Sequence, residues 1–348
     1  EILPEIREFE RASTAALNAY LQPVMGHYLE RLEAALAADG FGGEVFIHQS
    51  NGGIMHVATA RRLPIRTALS GPAAGVVAGG HIARAAGFEN VITCDMGGTS
   101  FDVSVVTDGA HATSPQTSID FGLVIRTPMV EITTIGAGGG SIAWVDGGGL
   151  LRVGPESAGS DPGPACYGLG NSRPTVTDAN VVLGRINAER PIGDKLQRLD
   201  KAAAEAAILE HVGVPLGLDA TAAAAAIILV ANGLMAGAIR LVSIERGHDP
   251  RKFVAMTFGG GGALHAGALL HEVGLAKALV PRYPGVVSAL GCAMADMRHD
   301  AVMTVNRLLP ELDLTDMKAR MQALARAGGD LVGEGAEYSF AADMSYQG

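Results

Sequence analysis

Two acidic residues enclose a short run of glycines and hydroxyl side chains in the first third of the chain. Asp95 and Asp102 are these acidic residues, in the run C-D-M-G-G-T-S-F-D-V at residues 94–103. Between them stand four residues whose backbone N–H or hydroxyl groups can donate to phosphate oxygens: Gly97, Gly98, Thr99 and Ser100. Glycines let the backbone approach a ligand closely, and carboxylates are ligands for Mg²⁺. The pattern predicts a phosphate-binding turn with Asp95 and Asp102 as catalytic carboxylates, Asp95 being the metal ligand.

The sequence on either side of this run indicates how it is positioned. Residues 90–93 and 103–107 are both short and rich in β-branched side chains. Two such segments separated by a glycine turn are typical of a β-hairpin. An ordinary tight hairpin with polar tip residues is the alternative, and it would explain a bare Gly-Gly pair. The complete D-x-G-G-T-S-x-D pattern is less generic and favours a hairpin that binds a ligand at its tip.

A second glycine run follows a strand-like segment later in the chain. Residues 253–258 are apolar, and residues 263–273 have the pattern of a helix. The glycines between them are predicted to bind a cofactor: Gly259, Gly260, Gly261 and Gly262. A strand, a glycine run and a helix in this order bring backbone amides and a helix N-terminus to a nucleotide.

A third glycine run, at residues 136–141, has the sequence G-A-G-G-G-S. It is similar to a dinucleotide fingerprint, but a strand and a D-G-G-G turn follow it instead of a helix, which argues against NAD. We predict that Gly138 and Gly139 contact a nucleotide or a substrate. The alternative, which the sequence favours equally, is that these residues form a wide hairpin turn that contacts no ligand.

Charge and cysteine content narrow the classes of partner and the compartment. The formal net charge is -10, with only 26 Lys and Arg in 348 residues, which argues against nucleic acid or an anionic membrane as partner. Cys94, Cys166 and Cys292 are widely spaced and form no C-x-x-C pair. A disulfide framework and a zinc knuckle are therefore not indicated, and a reducing cytoplasm is expected.

One uncharged segment, residues 220–239, is long enough to imitate a membrane span. Its first half is rich in weakly apolar alanine, and Asn232 interrupts it. Asp219 precedes it and can cap a helix. These features predict a buried helix of a globular core.

Several motifs in one order carry a resemblance to a known family. Besides residues 94–103 they are P-E-I-R-E-F-E-R at 4–11, Q-S-N-G-G at 49–53, L-S-G-P-A-A-G at 69–75, I-E-R-G-H-D-P-R at 244–251 and F-G-G-G-G-A-L-H-A at 258–266. Together they resemble the hydantoinase A and 5-oxoprolinase family, within the superfamily of actin, sugar-kinase and heat-shock ATPases. The resemblance implies an α/β, actin-like ATPase (ribonuclease H-like) architecture, with mixed sheets flanked by helices and a Gly-rich β insertion. It also implies ATP and Mg²⁺ as cofactors, with residues 259–262 as the adenosine-binding loop.

The same resemblance implies an activity and a partner. We expect ATP-dependent ring opening of a cyclic amide, such as hydantoin or 5-oxoproline, through a phosphorylated carbonyl intermediate. We also expect a second subunit of the hydantoinase B type in an oligomer. The alternatives are an ATP-dependent ketone carboxylase subunit of the acetone carboxylase kind, a sugar-kinase-like ATPase and a non-catalytic interaction domain.

The resemblance also implies which part of a family member this chain represents and how it divides into segments. Family members begin with a domain that carries a first phosphate loop, D-x-G-G-T-x-x-D, and no second copy of that pattern occurs here. We therefore expect a fragment without the N-terminal domain that binds ATP weakly and is inactive by itself. The expected segments are residues 1–90, a helical lead-in with a first α/β part; 91–192, the phosphate hairpin and a β-rich part; 193–217, a small helical insertion; and 218–348, an adenosine-loop α/β part truncated at its end.

Local patterns give further expectations. Pro23 is predicted to break the helical stretch 6–37 into two helices. Asp178 is predicted to be an N-cap. Strands are predicted at residues 300–305 and from Tyr338 onward.

Overall fold

The computed structural model describes residues 2–5, 7–119, 122–190 and 197–344. The chain folds into two units, each compact by itself. The terminal unit contains Glu1–Ser70, Ser114–Met129 and Ala295–Gly348, and the central unit contains Gly71–Thr113 and Val130–Met294. Each unit is discontinuous in sequence, and the four segments expected from the sequence stay a prediction. Residues 193–196, where the predicted insertion begins, lie outside the described residues.

The terminal unit is built mainly from helices and short strands. Its elements are α1 Glu8–Ala38, β1 Phe46–His48, β2 Ile54–His56, α2 Val57–Arg62, β7 Thr117–Ser118, β8 Val124–Ile125 and α10 Leu314–Val332. Strands β1 and β2 pair in antiparallel fashion, as do β7 and β8. The chain passes from one unit to the other within two further strands, β6 Thr113–Ser114 and β9 Met129–Val130.

The central unit contains the larger sheet and the helices around it. Its helices are α3 Ser70–Ala85, α4 Val176–Val182, α5 Lys201–Ile208, α6 Val214–Leu216, α7 Ala220–Val242, α8 Gly259–Val273 and α9 Val287–Met294. Its strands are β3 Val91–Met96, β4 Phe101–Thr107, β5 Ala110–His111, β10 Thr133–Ile135, β11 Ser141–Val145, β12 Leu151–Ser157, β13 Val254–Phe258 and β14 Lys277–Leu279.

The main sheet is mixed, as the predicted fold class requires. Its strand order is β10-β4-β3-β13-β14, with β5 added on β4. Strand β4 runs antiparallel to both β3 and β10, whereas β13 runs parallel to both β3 and β14. A separate antiparallel hairpin, β11–β12, forms the Gly-rich β insertion. This α/β architecture confirms the predicted mixed sheet flanked by helices.

Helix α7 lies in the core of the central unit, as predicted. The Asp219 side chain caps it by accepting a hydrogen bond from the Ala222 N–H at 2.7 Å. By length and composition the helix could cross a membrane, yet 56% of its most apolar window is buried inside the protein. Its buried residues, including Ile227 and Ile239, belong to the main hydrophobic cluster. Burial in that cluster explains the uncharged sequence.

The predicted break at Pro23 is wrong, because α1 continues through this residue. Proline in a helix interior removes one hydrogen bond and costs about 3 kcal/mol. Contacts on both sides of it hold the helix in place. Asn18 donates to the Arg62 carbonyl at 3.1 Å, and Leu29 is completely buried. Tertiary packing therefore offsets the local cost.

The two strands predicted near the end of the chain are also wrong. Residues 301–308 and 333–344 have no regular strand structure. A strand needs a partner that satisfies its backbone groups, and the alternating sequence by itself does not supply one. The Thr304 hydroxyl donates a hydrogen bond to the Pro4 carbonyl at 3.0 Å.

Candidate functional site

Strands β3 and β4 form the predicted hairpin, and its two aspartates lie side by side. Asp95 and Asp102 occupy directly opposed positions of the antiparallel pair. Opposed residues of such a pair point to the same face with Cβ atoms about 5 Å apart. Both carboxylates are half-buried. The hairpin therefore presents two adjacent negative charges next to its turn.

The turn at the hairpin tip leaves several hydrogen-bond donors without a partner. The Gly97 N–H donates to the Ser100 carbonyl at 3.1 Å and closes the turn. Gly98 and Thr99 are exposed at the tip. Within the part of the chain that the structure describes, their N–H groups and the Thr99 hydroxyl have no hydrogen-bond partner. These donors are available to an anion.

The second glycine run begins next to Asp95 of the hairpin. Strand β13 pairs in parallel with β3, so that Phe258 is opposite Asp95 and Gly259 follows directly. Gly259 has φ +79°, and a Cβ atom at this position would overlap the Asp95 carboxylate and the Met96 carbonyl. Only glycine allows both the backbone conformation and this close approach. The fold thus brings two motifs that are far apart in sequence together.

Residues 259–262 form the first turn of α8, so the prediction that the helix begins at residue 263 is wrong. The preceding residue, Phe258, makes no side-chain cap hydrogen bond. The first N–H groups of a helix have no acceptor within the helix, and this end carries a partial positive charge. An uncapped helix N-terminus beside the hairpin tip is suited to an anionic ligand.

The third glycine run packs against the hairpin turn. Gly139 donates to the Gly97 carbonyl at 3.0 Å, and Gly138 donates to the Ser141 hydroxyl at 2.8 Å. A Cβ atom on Gly138 would lie 2.6 Å from the Gly98 carbonyl carbon. The N–H groups of Gly138 and Gly139 are therefore used within the protein, where they support the turn. Their predicted contact with a nucleotide or substrate stays a prediction.

The first turn of helix α4 donates hydrogen bonds to this glycine run. The N–H and hydroxyl of Thr177 both donate to the Gly139 carbonyl, at 2.8 and 2.9 Å. Thr175 is the N-cap of α4, and Asp178 is at the N3 position of a capping box, so the prediction of Asp178 as N-cap is wrong. The buried Asp178 carboxylate also accepts from the Cys166 N–H at 2.7 Å. It fixes the preceding Gly- and Pro-rich loop to the helix.

The two carboxylates of the hairpin differ in their hydrogen bonds. Asp102 accepts from the Thr134 hydroxyl at 2.5 Å and from the Ser100 hydroxyl at 3.2 Å. Asp95 has a long contact of 3.5 Å with the Ser288 hydroxyl. Sequence reasoning missed Thr134 and Ser288, because neither belongs to a recognisable motif.

Burial raises the pKa of both carboxyl groups, and the charge of Asp102 adds to the shift of Asp95. Burial, followed by the negative charge of Asp102, raises the pKa of Asp95 to about 6, and the Ser288 hydroxyl opposes this shift. Burial also raises the pKa of Asp102, against the lowering effect of the Thr134 and Ser100 hydroxyls. A bound cation would relieve the repulsion between these charges.

The donor set fits a cation that takes most of its ligands from a phosphate and water. Mg²⁺ is commonly held by one or two carboxylates together with substrate phosphates. Over the described ranges of the chain, no group of three or more His, Cys, Asp or Glu side chains could hold a metal ion. Asp95 and Asp102 next to free amide donors therefore match a metal–phosphate site better than a metal site made by protein alone.

A buried histidine of α8 has a structural contact. His265 Nδ1 lies 2.6 Å from Asn232 Oδ1, and both side chains are buried. Burial, with a smaller effect of Arg185, lowers the pKa of His265 to about 4. The neutral ring donates from Nδ1 to the amide oxygen. This bond explains the polar residue within the apolar α7.

Comparison with known proteins shows the family of this chain. The family model described as hydantoinase/oxoprolinase matches residues 11–301. The chain belongs to the hydantoinase/oxoprolinase family. Caprolactamase subunit alpha of Pseudomonas jessenii is 41% identical over 330 residues, which are 94% of this chain and 47% of that relative. 5-Oxoprolinase 1 of Arabidopsis thaliana is 34% identical over 343 residues, which are 93% of this chain and 26% of that relative.

Solved structures in this family have the same fold. The crystal structure of the ATP-dependent caprolactamase from Pseudomonas jessenii superposes with a TM-score of 0.81 and 38% identity, covering 97% of this chain and 49% of that one. A nucleotide-free structure of acetone carboxylase superposes with a TM-score of 0.80 and 28% sequence identity, covering 94% of this chain and 46% of that one. The family and the actin-like fold class predicted from the sequence are confirmed. The chain spans about half the length of the caprolactamase and about a quarter of the 5-oxoprolinase.

Proposed function

We propose that this chain is the ATP-binding core of an enzyme that opens a cyclic amide ring at the expense of ATP. The observation that carries the proposal is the meeting of the Asp95–Asp102 hairpin, its free tip amides and the uncapped N-terminus of α8 at one place. Membership of the hydantoinase/oxoprolinase family supports it. Similarity to a caprolactamase and a 5-oxoprolinase favours a lactam substrate.

Each part of the site has a role in this proposal. The Gly98 and Thr99 amides donate to phosphate oxygens, and Asp95 binds Mg²⁺, with Asp102 fixed beside it. The first turn of α8, residues 259–262, binds the nucleotide with its backbone N–H groups; the family resemblance implies that this loop also contacts the adenosine. Phosphoryl transfer depends mainly on positioning and on neutralising charge, which backbone amides and a carboxylate-bound cation supply.

The chemistry explains why a lactamase of this kind needs ATP. An amide carbonyl is a poor electrophile, because the nitrogen lone pair delocalises into it. Attack of the amide oxygen on the γ-phosphorus forms an O–P bond and releases ADP. Water then adds to the activated carbon, and the C–N bond breaks as the nitrogen takes a proton, which leaves an acyl phosphate. A second water attacks the carbon of this acyl phosphate, and phosphate leaves with the original oxygen. The product is an open-chain amino acid.

A second subunit completes the enzyme in this proposal. The caprolactamase relative is named as an alpha subunit. The described residues contain no metal-binding cluster that could activate water for the hydrolytic step. We propose a partner of the hydantoinase B type in a hetero-oligomer. We place this complex in the cytoplasm, consistent with three free cysteines.

The second candidate is an ATP-dependent ketone carboxylase subunit. It is favoured by the structural similarity to acetone carboxylase, although that protein is less similar in sequence than caprolactamase, at 28% against 38% identity. In that reaction the phosphorylated species would be an enolate or bicarbonate.

A substrate panel with the full-length protein and its partner separates these functions. Phosphate release from ATP is measured with lactams, cyclic imides and ketones, the ketones being supplied with bicarbonate. Stimulation by lactams or imides with formation of the ring-opened acid supports the proposal. Stimulation only by a ketone with bicarbonate would replace it by the carboxylase. Phosphorylation of a sugar would indicate a kinase, and absence of nucleotide binding would indicate an interaction domain.

A further inference from the structure

We propose that Thr134 is a positioning residue, which holds the Asp102 carboxylate in place for cation-dependent nucleotide binding at the hairpin. The inference rests on the proposed function, because it assumes that the hairpin binds Mg-ATP. It concerns a residue outside all three glycine motifs.

The sheet places Thr134 in line with both carboxylates. Strand β10 pairs with β4 so that Thr134 is directly opposite Asp102, and Asp102 is directly opposite Asp95 on β3. Directly opposed residues of neighbouring antiparallel strands project to the same face of the sheet. The three side chains therefore form a row across β10, β4 and β3 that ends at the ligand-binding turn.

The two carboxylates differ in the hydrogen bonds that they accept: both oxygens of Asp102 accept one, whereas Asp95 has only one long contact. Thr134 Oγ1 donates to Asp102 Oδ1 at 2.5 Å, and Ser100 Oγ donates to Asp102 Oδ2 at 3.2 Å, so both oxygens are occupied. Asp95 Oδ2 has only the Ser288 hydroxyl at 3.5 Å, and Asp95 Oδ1 accepts no hydrogen bond from the described residues. Asp95 is thus free to bind the cation, while Asp102 supplies a fixed negative charge beside it.

The position of Thr134 argues against a role in packing. Strand β10 is at the edge of the sheet, and the Thr134 side chain is exposed. Removing its hydroxyl would leave no cavity in the core. Asp102 would lose one donor and gain freedom to rotate or to turn toward solvent. The hydroxyl therefore contributes to the geometry of the site more than to the stability of the fold.

The test uses three variants of the full-length protein with its partner. Thr134→Val keeps the shape of the side chain and removes the hydroxyl, whereas Thr134→Ser keeps the hydroxyl. Thr133→Val is the matched control, because Thr133 is the adjacent residue of the same strand, opposite Val103, and makes no side-chain hydrogen bond among the described residues. Calorimetry measures ATP affinity at a series of Mg²⁺ concentrations, and thermal unfolding measures stability.

The expected result is a loss of Mg²⁺-dependent ATP affinity of about ten-fold in Thr134→Val, as for one hydrogen bond to a charged group. ATP affinity without Mg²⁺ and the melting temperature should stay unchanged. The Mg²⁺-dependent ATP affinity of Thr134→Ser should lie within about three-fold of that of the unaltered protein, and the affinity of Thr133→Val should equal that of the unaltered protein.

Other outcomes overturn the inference in distinguishable ways. If the unaltered protein does not bind Mg-ATP, the proposed function is wrong and the inference falls with it. If the unaltered protein binds Mg-ATP and Thr134→Val binds equally well, the proposed function stands and the positioning role is rejected. Equal losses of affinity and of melting temperature in Thr134→Val and Thr133→Val would show a structural role for β10 and reject it as well.

Discussion

Asp95 and Asp102 are directly opposed across the β3–β4 hairpin, and Gly259, the first residue of α8 after the parallel strand β13, lies against the Asp95 carboxylate. Two half-buried negative charges at this separation repel each other, and nothing in the hairpin itself neutralises them. The turn next to them has free N–H donors, which attract anions. A cation–phosphate pair satisfies both halves of this arrangement, because the cation meets the carboxylates and the phosphate meets the amides.

Removing the Asp95 charge should abolish nucleotide turnover and leave the fold intact. Asp95→Asn in the full-length protein deletes the open cation ligand at a hairpin tip, where core packing is little affected. We expect ATPase activity to fall at least 100-fold, measured by phosphate release, with an unchanged circular dichroism spectrum. Asp108→Asn is the control, because Asp108 is exposed at the opposite end of β4 and asparagine tolerates its positive φ. Unchanged turnover in folded Asp95→Asn would reject the site.

The raised pKa of Asp95 predicts how stability depends on pH in the absence of nucleotide. The pKa is about 6 in the folded protein and lies near 4 in an unfolded chain. The folded state therefore binds more protons in this window, and its stability falls as the pH rises from about 4 to 6. Subtracting the melting temperatures of Asp95→Asn from those of the unaltered protein isolates this effect. A difference that does not change between pH 4.5 and 7.5 would contradict the assignment.

The same pKa predicts the opposite trend for ligand binding. A cation binds the ionised carboxylate, so protonation of Asp95 competes with it. We expect Mg²⁺-dependent ATP affinity to decrease as the pH falls below about 6. Calorimetric titration of the full-length protein at several pH values measures this. Affinity that is constant from pH 5 to 7.5 would show that Asp95 does not hold the cation.

Two neighbouring glycines should respond very differently to alanine. Gly259→Ala forces a side chain into positive φ and against the Asp95 carboxylate, and we expect a loss of about 2 kcal/mol or more of stability together with nucleotide binding. A Cβ atom on Gly260 meets nothing within 4 Å, so Gly260→Ala should be neutral or up to about 1 kcal/mol stabilising. Denaturant unfolding and ATP titration of both variants provide the test. Equal tolerance of both substitutions would contradict the close approach.

The buried pair Asn232–His265 should contribute to stability and not to the chemistry. Asn232→Ala leaves the His265 N–H without a partner in the core, which costs about 1–3 kcal/mol. Leu234→Ala on the exposed side of α7 is the control, with an expected change within about 0.5 kcal/mol. Urea unfolding measures both. An unchanged free energy of unfolding in Asn232→Ala would show that the hydrogen bond is not formed.

The sequence alone determined the features that depend on near neighbours. The hairpin at residues 90–107 follows from β-branched runs around a glycine turn, and the buried helix α7 follows from its uncharged sequence and the Asp219 cap. The motif set also predicted the family and the fold class correctly. Each of these signals is contained in one short stretch or in the order of several stretches, so no knowledge of long-range contacts is needed.

Only the tertiary structure decided which residues surround the aspartates. Thr134 is 32 residues from Asp102 and Ser288 is 193 residues from Asp95, and both contacts arise where elements distant in sequence meet in the fold. Tertiary packing likewise kept α1 continuous through Pro23, against the local preference of proline. Strand pairing and packing are set by the burial of whole elements, and the local sequence around a residue does not specify which distant backbone or side chain will lie beside it.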